Sequence, residues 1–575
     1  MLLSRRFLPY FVTQCLGALN DNVFKNVLLL LVAYSQVDEL PIDVNLFVNL
    51  AAGLFILPFL LFSAHAGQVA DYVDKSALIR RLKLLELVIM SFAVFAIVSH
   101  SYMVMLLLLF LMGVQSAYFG PVKYSLLPRV LDNSELVSGN AWVEMGTFLA
   151  ILAGTISAGL IVASDNATYW AAASVFILAL IGALTSWFIP SIPAHSLQKP
   201  HFSIVRATFA NIKKARRTPG IWVAILAISW FWFVGATYLT QFPNFARITL
   251  AADPTVVSLL LLLFSVGIAA GSFVCERLSC HQVELGIMPL GLALLAGFGI
   301  DLYFAIPAKP ELAALYNLQS FIAEADHYRL MLDLFMIGGG GGLFIVPLYT
   351  YIQARAKDGE CAQAIASNNI INALFMVTSA VFAMVILNVF QWQIEQLFLL
   401  LAVGNVLVLC WLLLGWPELL LSMSSYYYRR FKHKVSLDDP NALHKQAKLI
   451  VVTDNLSWSD MMLLYGSFTH PVHFTEGMIQ RLSLNRFYRR AVLCISYLAS
   501  SVDDATDNNA TTKDASTESY EAAELDIDSV ICVSAVQLKQ VQAELKDYTC
   551  VTTKLSVKAD GAKRLVLEIR PLTAG

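Results

Sequence analysis

Residues 67–81 read GQVADYVDKSALIRR and join the second apolar stretch of the chain to the third. A small residue such as Gly67 lets two helix ends approach each other closely. The Asp71 carboxylate can cap a helix amino terminus and pair with a basic neighbour such as Lys75, Arg80 or Arg81. We therefore predict that these five residues gate one face of a helical membrane bundle rather than contact a substrate.

Composition separates this chain from soluble domains. Of its 575 residues, 58% are hydrophobic and 14% are charged, whereas soluble domains are about a quarter charged. Lipid is therefore the main solvent of the chain. The formal net charge of −2 argues against a nucleic-acid partner, since binding phosphates requires a local surplus of Lys and Arg. The eight cysteines form no CxxC pair, so the sequence predicts no metal site and no cofactor.

Twelve stretches have the length and polarity of membrane helices, because crossing the hydrocarbon core takes about twenty mainly apolar residues. They are residues 7–35, 44–65, 82–99, 101–122, 138–163, 166–189, 220–245, 254–276, 281–304, 328–353, 363–389 and 394–415. Cytoplasmic loops carry an excess of Lys and Arg. Most of these residues lie on the side of the amino terminus, and the other side has only Arg247, Lys309 and Arg329. We predict that both termini are cytoplasmic.

The chain divides into four segments by composition. Residues 1–190 and 220–425 each hold six predicted spans, and a basic, proline-containing linker occupies 191–219. This linker is either a hinge between two halves or a solvated topological anchor. Residues 426–575 have the composition of a small α/β domain, with an acidic flexible loop at 501–527. The predicted strands of this tail are Leu449–Val452, Val530–Val533 and Arg564–Ile569.

Ionisable residues inside predicted spans are candidates for substrate contact, because such a group costs several kcal/mol in hydrocarbon unless it meets a partner or a wet cavity. Asp21 and Lys25 of the first span have i, i+4 spacing and share one helix face. They form either an ion pair that holds helices together or a site where Asp21 attracts the cation of a zwitterionic substrate. In the second case Asn20 and Asn22 supply neutral hydrogen bonds.

The segment quoted first resembles the GxxxDxxGR-type signature of the major facilitator superfamily, with Asp74 where that pattern has glycine. Residues 271–278 in the second half resemble a degenerate form of the same signature. The resemblance implies an all-α polytopic fold of twelve transmembrane helices in two six-helix halves, followed here by the small α/β cytoplasmic domain.

Three further segments resemble the bacterial lysophospholipid transporter family. They are ALNDNVFK at 18–25, the stretch from SLLP at 125–128 to SGNA at 138–141, and GGLFIVPL at 341–348. This resemblance implies an inner-membrane transporter that carries lysophosphatidylethanolamine or a related lysolipid from the outer to the inner leaflet. The two halves would rock against each other to expose the site to each side in turn.

Four more charged residues are candidates under this hypothesis. Lys123 and Arg247 are predicted near opposite membrane faces, where they would meet the phosphate group or act as interfacial anchors. Glu144 of the fifth span and Asp333 of the tenth would contact the headgroup or hold helices together.

The tail resembles glycerolipid acyltransferases, to which lysolipid transporters are often fused. Residues 451–460, VVTDNLSWSD, resemble the NHxSxxD block of that family and retain Ser457 and Asp460, but Asn455 stands at the histidine position. In the family that histidine is the general base, and an asparagine amide cannot accept the proton. We predict an inactive tail, which is either a relic or a docking module for a separate acyltransferase or for the membrane surface.

Two other functions are compatible with the same residues. One is a bifunctional protein whose tail is a working acyltransferase, which would make diacyl product from lysolipid. The other is an exporter or permease for a different small amphiphilic solute, because the superfamily signature would be the same.

Overall fold

A computed structural model describes most of the membrane part of the protein and separate segments of the tail. The described residues are 1–34, 44–194, 199–200, 202–279, 283–307, 315–357, 359–427, 449–452, 461–462, 472–475, 496–497, 530–533, 549–557 and 563–569. The chain separates into two units. One comprises Met1–Val283 with Ile287–Leu409, and the other comprises Glu284–Gly286 with Cys410–Gly575.

Fifteen α-helices lie within the described residues. They are α1 Leu8–Tyr34, α2 Val44–Tyr72, α3 Lys75–Val98, α4 Tyr102–Val130, α5 Leu136–Val162, α6 Ala167–Ser186, α7 Ile204–Arg216, α8 Pro219–Asn244, α9 Pro254–Ser279, α10 Met288–Phe304, α11 Leu318–Ala323, α12 His327–Arg355, α13 Cys361–Met384, α14 Ile394–Gly415 and α15 Pro417–Tyr427. Short π-helical segments, Phe245–Thr249 and Val385–Val389, extend α8 and α13.

Eleven helices within these ranges are long and apolar enough to cross a membrane. The remaining predicted span, 82–99, lies in α3, whose 24 residues also have spanning length. Its charged residues are Lys75, Arg80, Arg81, Lys83 and Glu86. The outer side of α3 is nevertheless apolar, since Phe92 and Phe95 are exposed on it. We therefore count α3 with the membrane helices of this fold.

Four predicted helix ends were wrong by seven or eight residues. α2 continues to Tyr72 rather than ending at 65, α3 begins at Lys75 rather than 82, α4 continues to Val130 rather than 122, and α10 begins at Met288 rather than 281. The quoted motif therefore lies mainly on two helices, with only Val73 and Asp74 between them. The Asp74 carboxylate caps α3 by accepting the Ala77 N–H at 2.7 Å, a role that glycine could not fill.

Within the first unit the helices form two sets, separated in sequence by the linker that contains α7. In the first set, α1 packs against α5 and α6, α3 against α4 and α6, and α2 against α4. In the second set, α12 packs against α8, α9 and α10, and α13 packs against α8. The sets meet where α2 and α4 contact α13 and where α5 contacts α9 and α12.

We call the end of the bundle where α2 is followed by α3, and α4 by α5, the basic face. The other end is the opposite face. Lys75 begins α3 at the basic face, while His100 lies between α3 and α4 at the opposite face. These two terms describe the helix ends only.

A glycine run allows close packing in the second half. Gly338–Gly342 lies within α12, and its backbone faces α9 at Gly267 and Gly271 and α10 at Gly291. A Cβ atom on Gly340 would come 2.7 Å from the Gly291 carbonyl oxygen. Small residues at helix interfaces let backbones approach in this way.

The tail forms a mixed sheet within the second unit. Its strands are β1 Leu449–Val452, β2 Val472–Thr475, β3 Ser496–Tyr497, β4 Val530–Val533, β5 Thr549–Val557 and β6 Lys563–Ile569. Their order across the sheet is β3-β2-β4-β1-β5-β6. Only β5 and β6 pair antiparallel among the described strands. β1 and β4 coincide with predicted strands, and β6 begins one residue before its predicted start.

Candidate functional site

The quoted motif joins the two halves at the basic face. The Asp71 carboxylate on α2 accepts the backbone N–H groups of Ala362 at 3.1 Å and Gln363 at 3.2 Å, in the first turn of α13. The Gln363 side-chain amide donates to the same carboxylate at 3.3 Å. A Cβ atom on Gly67 would lie 2.6 Å from the Ala366 Cβ atom, so only glycine permits this approach. We call Gly67, Asp71 and the first turn of α13 the latch.

The basic residues of the motif support the latch unequally. Lys75 is buried, with its Nζ atom 3.8 Å from an Asp71 carboxylate oxygen. That Nζ atom also donates to the Ser125 hydroxyl at 3.0 Å. Arg80 donates to the Ile189 carbonyl at 2.7 Å and so ties α3 to the end of α6. Arg81 is exposed, so its contact with Asp71 that the sequence suggested does not form here.

A second set of contacts joins α5 to α12 at the same face. Asn140 and Gln353 exchange amide hydrogen bonds of 2.6 and 2.9 Å, and the Asn140 amide also donates to Thr350 at 3.2 Å. The rings of Tyr124 and Tyr349 stack between the halves with centroids 4.3 Å apart. Together with the latch, these contacts hold the basic face closed.

Asp21 lies within the bundle at the middle of α1. Its Oδ2 atom accepts a hydrogen bond from the Ser116 hydroxyl of α4 at 2.8 Å. Its Oδ1 atom is buried and has no hydrogen-bond partner among the described residues. A buried carboxylate oxygen without a donor is costly, so this atom is available to a ligand cation.

Asn20, Asn22 and Lys25 have different surroundings. The Asn20 amide donates to the Glu86 carboxylate at 3.2 Å. Asn22 donates to a carbonyl of its own helix and accepts from Lys25 at 3.3 Å. Within the described part of the chain, Lys25 forms no ion pair with Asp21. The alternative that these two residues pair to hold helices together is therefore not supported. The Lys25 ammonium instead lies 5.9 Å from the centroid of the Phe55 ring.

A buried ion pair beside Asp21 was missed by the sequence analysis. Lys83 and Glu86 of α3 are each about 1% exposed, and their charged atoms lie 2.7 Å apart. Glu86 also accepts from the Gln115 amide at 3.2 Å. Both residues fall within the predicted span 82–99. The i, i+3 spacing of opposite charges on one predicted span was the available signal.

Lys123 and Glu144 lie between Asp21 and the latch. Lys123 is buried and donates to the Thr147 hydroxyl at 2.9 Å. It lies within α4 rather than at the end of the helix, because α4 continues seven residues beyond it. Glu144 accepts from the Tyr124 hydroxyl at 2.6 Å, and its Oε2 atom is buried with no partner among the described residues. Lys123 and Glu144 thus add polar groups to the interior of the first half.

Arg247 and Asp333 lie apart from this interior cluster. Arg247 is exposed in the π-helical end of α8, as expected for an interfacial anchor. Asp333 is buried on α12 beside Asp301, which pairs with Arg329 at the opposite face. Asn455, Ser457 and Asp460 of the acyltransferase-like block lie outside the described residues.

Aromatic rings form an apolar wall at mid-bundle. Phe148 of α5 lies 6.1 Å from Phe231 and 6.0 Å from Trp232 of α8, measured between ring centroids. Rings of both halves therefore meet here, while the buried ionisable groups come from the first half. Such a site has the chemistry to hold a charged group attached to an apolar chain.

Relatives with known names share most of the membrane part. The chain is 28% identical over 330 residues to the lysophospholipid transporter LplT of Enterobacter sp. (strain 638), which covers 55% of this chain and 74% of that protein. It is 28% identical over 380 residues to LplT of Cronobacter sakazakii (strain ATCC BAA-894), covering 64% of this chain and 85% of that protein.

Solved structures share the fold at low sequence identity. The human organic anion transporter MFSD10 (TETRAN) aligns with a TM-score of 0.55 at 13% identity, covering 71% of this chain and 98% of that one. FucP in the outward conformation aligns with a TM-score of 0.52 at 13% identity, with the same coverages. The family model described as Major Facilitator Superfamily matches residues 11–323. The chain therefore belongs to the major facilitator superfamily.

Proposed function

We propose that the protein moves lysophospholipid across the membrane by alternating access of its two halves. The observation that carries this proposal is the half-buried Asp21 carboxylate, which accepts from Ser116 and keeps one buried oxygen without a donor among the described residues. An ionisable group is retained at such a depth when it meets a partner or a polar cavity. The similarity to named lysophospholipid transporters supports the same substrate class.

The headgroup of lysophosphatidylethanolamine matches the charges of the first half. Its ammonium would bind Asp21, and its phosphate would bind Lys123. Ser116, which holds Asp21, and Lys123 lie on α4 about 10 Å apart along the helix axis. Glu144 lies beside Lys123, the proposed phosphate ligand, and its carboxylate would favour a substrate that also carries a cation.

The acyl chain would lie against the apolar wall. The rings of Phe148, Phe231 and Trp232 pack together across the two halves, and aromatic surface is a favourable contact for hydrocarbon. A lysolipid has one such chain, which can stay among apolar side chains while the headgroup follows the polar path.

The latch suggests a direction of transport. Asp71 and Asn140 join the halves at the basic face, so the conformation described here would receive substrate from the opposite side. We propose that the basic face is cytoplasmic, that both termini are cytoplasmic, and that lysolipid passes from the outer to the inner leaflet of the inner membrane. The excess of Lys and Arg in the loops of that face supports this orientation.

Uptake of labelled lysophosphatidylethanolamine by spheroplasts tests this function. Cells that express the protein should take up the lipid faster than cells with an empty vector. Asp21→Asn should lower uptake about 10- to 100-fold, because a charge-assisted hydrogen bond contributes about 1.5–3 kcal/mol. Asp165→Asn, at an exposed site between α5 and α6, is the matched control. Equal uptake by expressing and empty cells refutes the proposed function.

We also propose that the tail is inactive as an acyltransferase and serves a separate enzyme that reacylates the imported lipid. Asn455 at the position of the general base supports this part. Purified full-length protein, supplied with lysolipid and an acyl donor, should form no diacyl product. Asn455→His provides the comparison, and product from the unaltered protein overturns the inactive assignment.

A further inference from the structure

The linker helix α7 has an unusual charge pattern. Residues 204–217 read IVRATFANIKKARR, with five basic residues and no acidic residue. Ile204, Val205, Ala207 and Phe209 of the same segment supply apolar side chains. The sequence left two roles open for this linker, a hinge or a solvated anchor, and neither requires aromatic residues.

One side of α7 packs against the bundle. Ala207 and Asn211 are buried, and the Asn211 amide donates to the Ala64 carbonyl of α2 at 3.3 Å. Ala207 also shares a buried cluster with Ala64 and with Ile370 of α13. Ala64 lies eight residues before the end of α2, about 12 Å along the helix axis. α7 therefore lies beside membrane helices and not in a loop beyond them.

The other side of α7 exposes two apolar residues in its first two turns. Val205 and Phe209 have exposed fractions of 67% and 70%, and Phe202, just before the helix, is 65% exposed with its ring 5.1 Å from that of His65 of α2. Residues 205 and 209 are one helical turn apart and share a face. Ala64 lies one residue before the end of the predicted apolar stretch of α2, so we expect side chains at this level to lie at the boundary of the lipid, where burial in acyl chains lowers the cost of exposing them.

Basic residues border this apolar side. Arg206, Lys213 and Arg217 are exposed, and the Arg216 guanidinium lies 4.8 Å from the centroid of the Trp222 ring near the start of α8. Aromatic and basic side chains together are typical of the headgroup layer. Positive charge at this level attracts anionic headgroups within about a Debye length.

We propose that α7 is an interfacial helix that binds anionic phospholipid in the leaflet at the basic face. Phe202, Val205 and Phe209 enter the acyl layer, while Arg206 and Lys213 contact phosphate groups. The inference is independent of the transported substrate, because none of these residues belongs to the polar cluster around Asp21.

The same helix connects bound lipid to the latch. The Lys214 ammonium lies 2.8 Å from the Glu360 carboxylate and donates to the Gln363 side-chain carbonyl at 3.2 Å. Gln363 in turn donates to Asp71. Anionic lipid that fixes α7 therefore holds Lys214 against α13 and favours the closed basic face.

Photo-crosslinking in nanodiscs tests the lipid contact directly. The full-length protein carries p-benzoylphenylalanine at position 209, in phosphatidylcholine alone or mixed with phosphatidylglycerol. Illumination should give phosphatidylglycerol adducts, detected by mass spectrometry. The same photoreactive residue at position 132, an exposed site between α4 and α5, should give few. Adducts of residue 209 with peptides from 426–575, in place of lipid, overturn the proposal in favour of a protein contact.

Charge removal tests the preference for anionic lipid. Each of Arg206→Gln and Lys213→Gln should lower the yield of phosphatidylglycerol adducts about fivefold, with the yield in phosphatidylcholine unchanged. Arg5→Gln, at another exposed site of the basic face, should leave both yields unchanged. Thermal unfolding of each variant distinguishes a lost lipid contact from misfolding. An adduct yield independent of phosphatidylglycerol in the unaltered protein refutes anionic recognition, whatever the result of the uptake experiment.

Discussion

The two halves of the membrane bundle share a fold but differ in what fills their interiors. Among the described residues of the first half, the buried charged ones are Asp71, Lys75, Lys83, Glu86, Lys123 and Glu144. In the second half, the described helices α8 to α14 bury only Asp333 and His327 among the acidic and basic residues. Their interior is filled instead by the glycine contacts of α9, α10 and α12 and by rings such as Phe231.

This difference suggests a division of labour between the halves. Buried charges are expensive in a membrane and persist where they bind or pair, whereas close glycine packing favours a rigid helix group. We infer that the first half recognises the charged part of the substrate. The second half would then move as a packed body that carries the other side of the latch.

Breaking the buried pair of the first half should have the largest effect. Lys83→Met leaves the Glu86 carboxylate without its cation, which costs about 3–5 kcal/mol and should lower the temperature of thermal unfolding in detergent. Adding Glu86→Gln removes the unpaired charge and retains an acceptor for Asn20, so the double variant should recover much of the loss. Lys213→Met at an exposed site is the control. If the double variant is as unstable as the single one, the pair is not the source of stability.

Removing the proposed phosphate ligand should have the next largest effect. Lys123→Met should weaken binding of lysophosphatidylethanolamine about 10- to 100-fold, because a hydrogen bond to a charged group contributes about 1.5–3 kcal/mol. Binding of monoacylglycerol, which lacks phosphate, should change little. Lys199→Met, at an exposed linker position, should affect neither ligand. Equal losses for both ligands would indicate that Lys123 supports the fold rather than the phosphate.

Two glycines of α10 test the packing of the second half. A Cβ atom on Gly291 would lie 2.6 Å from the Gly340 carbonyl oxygen, whereas one on Gly297 would meet nothing within 4 Å. Gly291→Ala should therefore destabilise the protein by about 1–3 kcal/mol. Gly297→Ala should be neutral or slightly stabilising, since alanine favours helix. Unfolding of both variants in the same detergent makes the comparison. Similar losses of stability in the two variants would contradict close packing at Gly291.

The smallest effect is expected where the halves can separate. Gly67→Ala introduces a Cβ atom against Ala366 across the latch, and a shift of the halves can relieve part of the clash. We expect the closed basic face to be disfavoured by about 1 kcal/mol, or about fivefold. Accessibility of the basic face to a membrane-impermeant thiol reagent, measured at Cys361 of α13, should rise.

Gly53→Ala on the same helix is the matched control for the latch, because a Cβ atom there meets nothing within 4 Å. It should leave the labelling rate unchanged. An unchanged rate in Gly67→Ala would show that the latch does not govern opening.

The sequence predicted the membrane helices well but placed several polar residues wrongly. Apolar length identifies a span, yet helices continue past the apolar stretch when polar ends are satisfied, as Asp74 does for α3. For this reason Asp71, Lys75 and Arg80, which the sequence placed between two spans, lie on α2 and α3. The linker helix α7 was not predicted, because its packing on α2 and α13 stabilises it more than its own short periodic pattern does.

The roles of individual residues depended on contacts between distant segments. Asp21 and Glu144 were chosen from the sequence because a charge within a span is conspicuous. The latch partner of Asp71 lies 291 residues away along the chain, and no local pattern encodes such a pairing. The reciprocal amide bonds between Asn140 and Gln353 were equally beyond local prediction.

The sequence by itself determined that this chain resides in lipid, where its helices lie and which loops are basic. These properties follow from local composition, because the transfer of apolar side chains into lipid and the cost of buried charge act residue by residue. Tertiary structure alone decided which oxygens of Asp21 and Glu144 lack donors and which face of the bundle is closed. Those features depend on distances between side chains of different helices, which packing sets and composition does not.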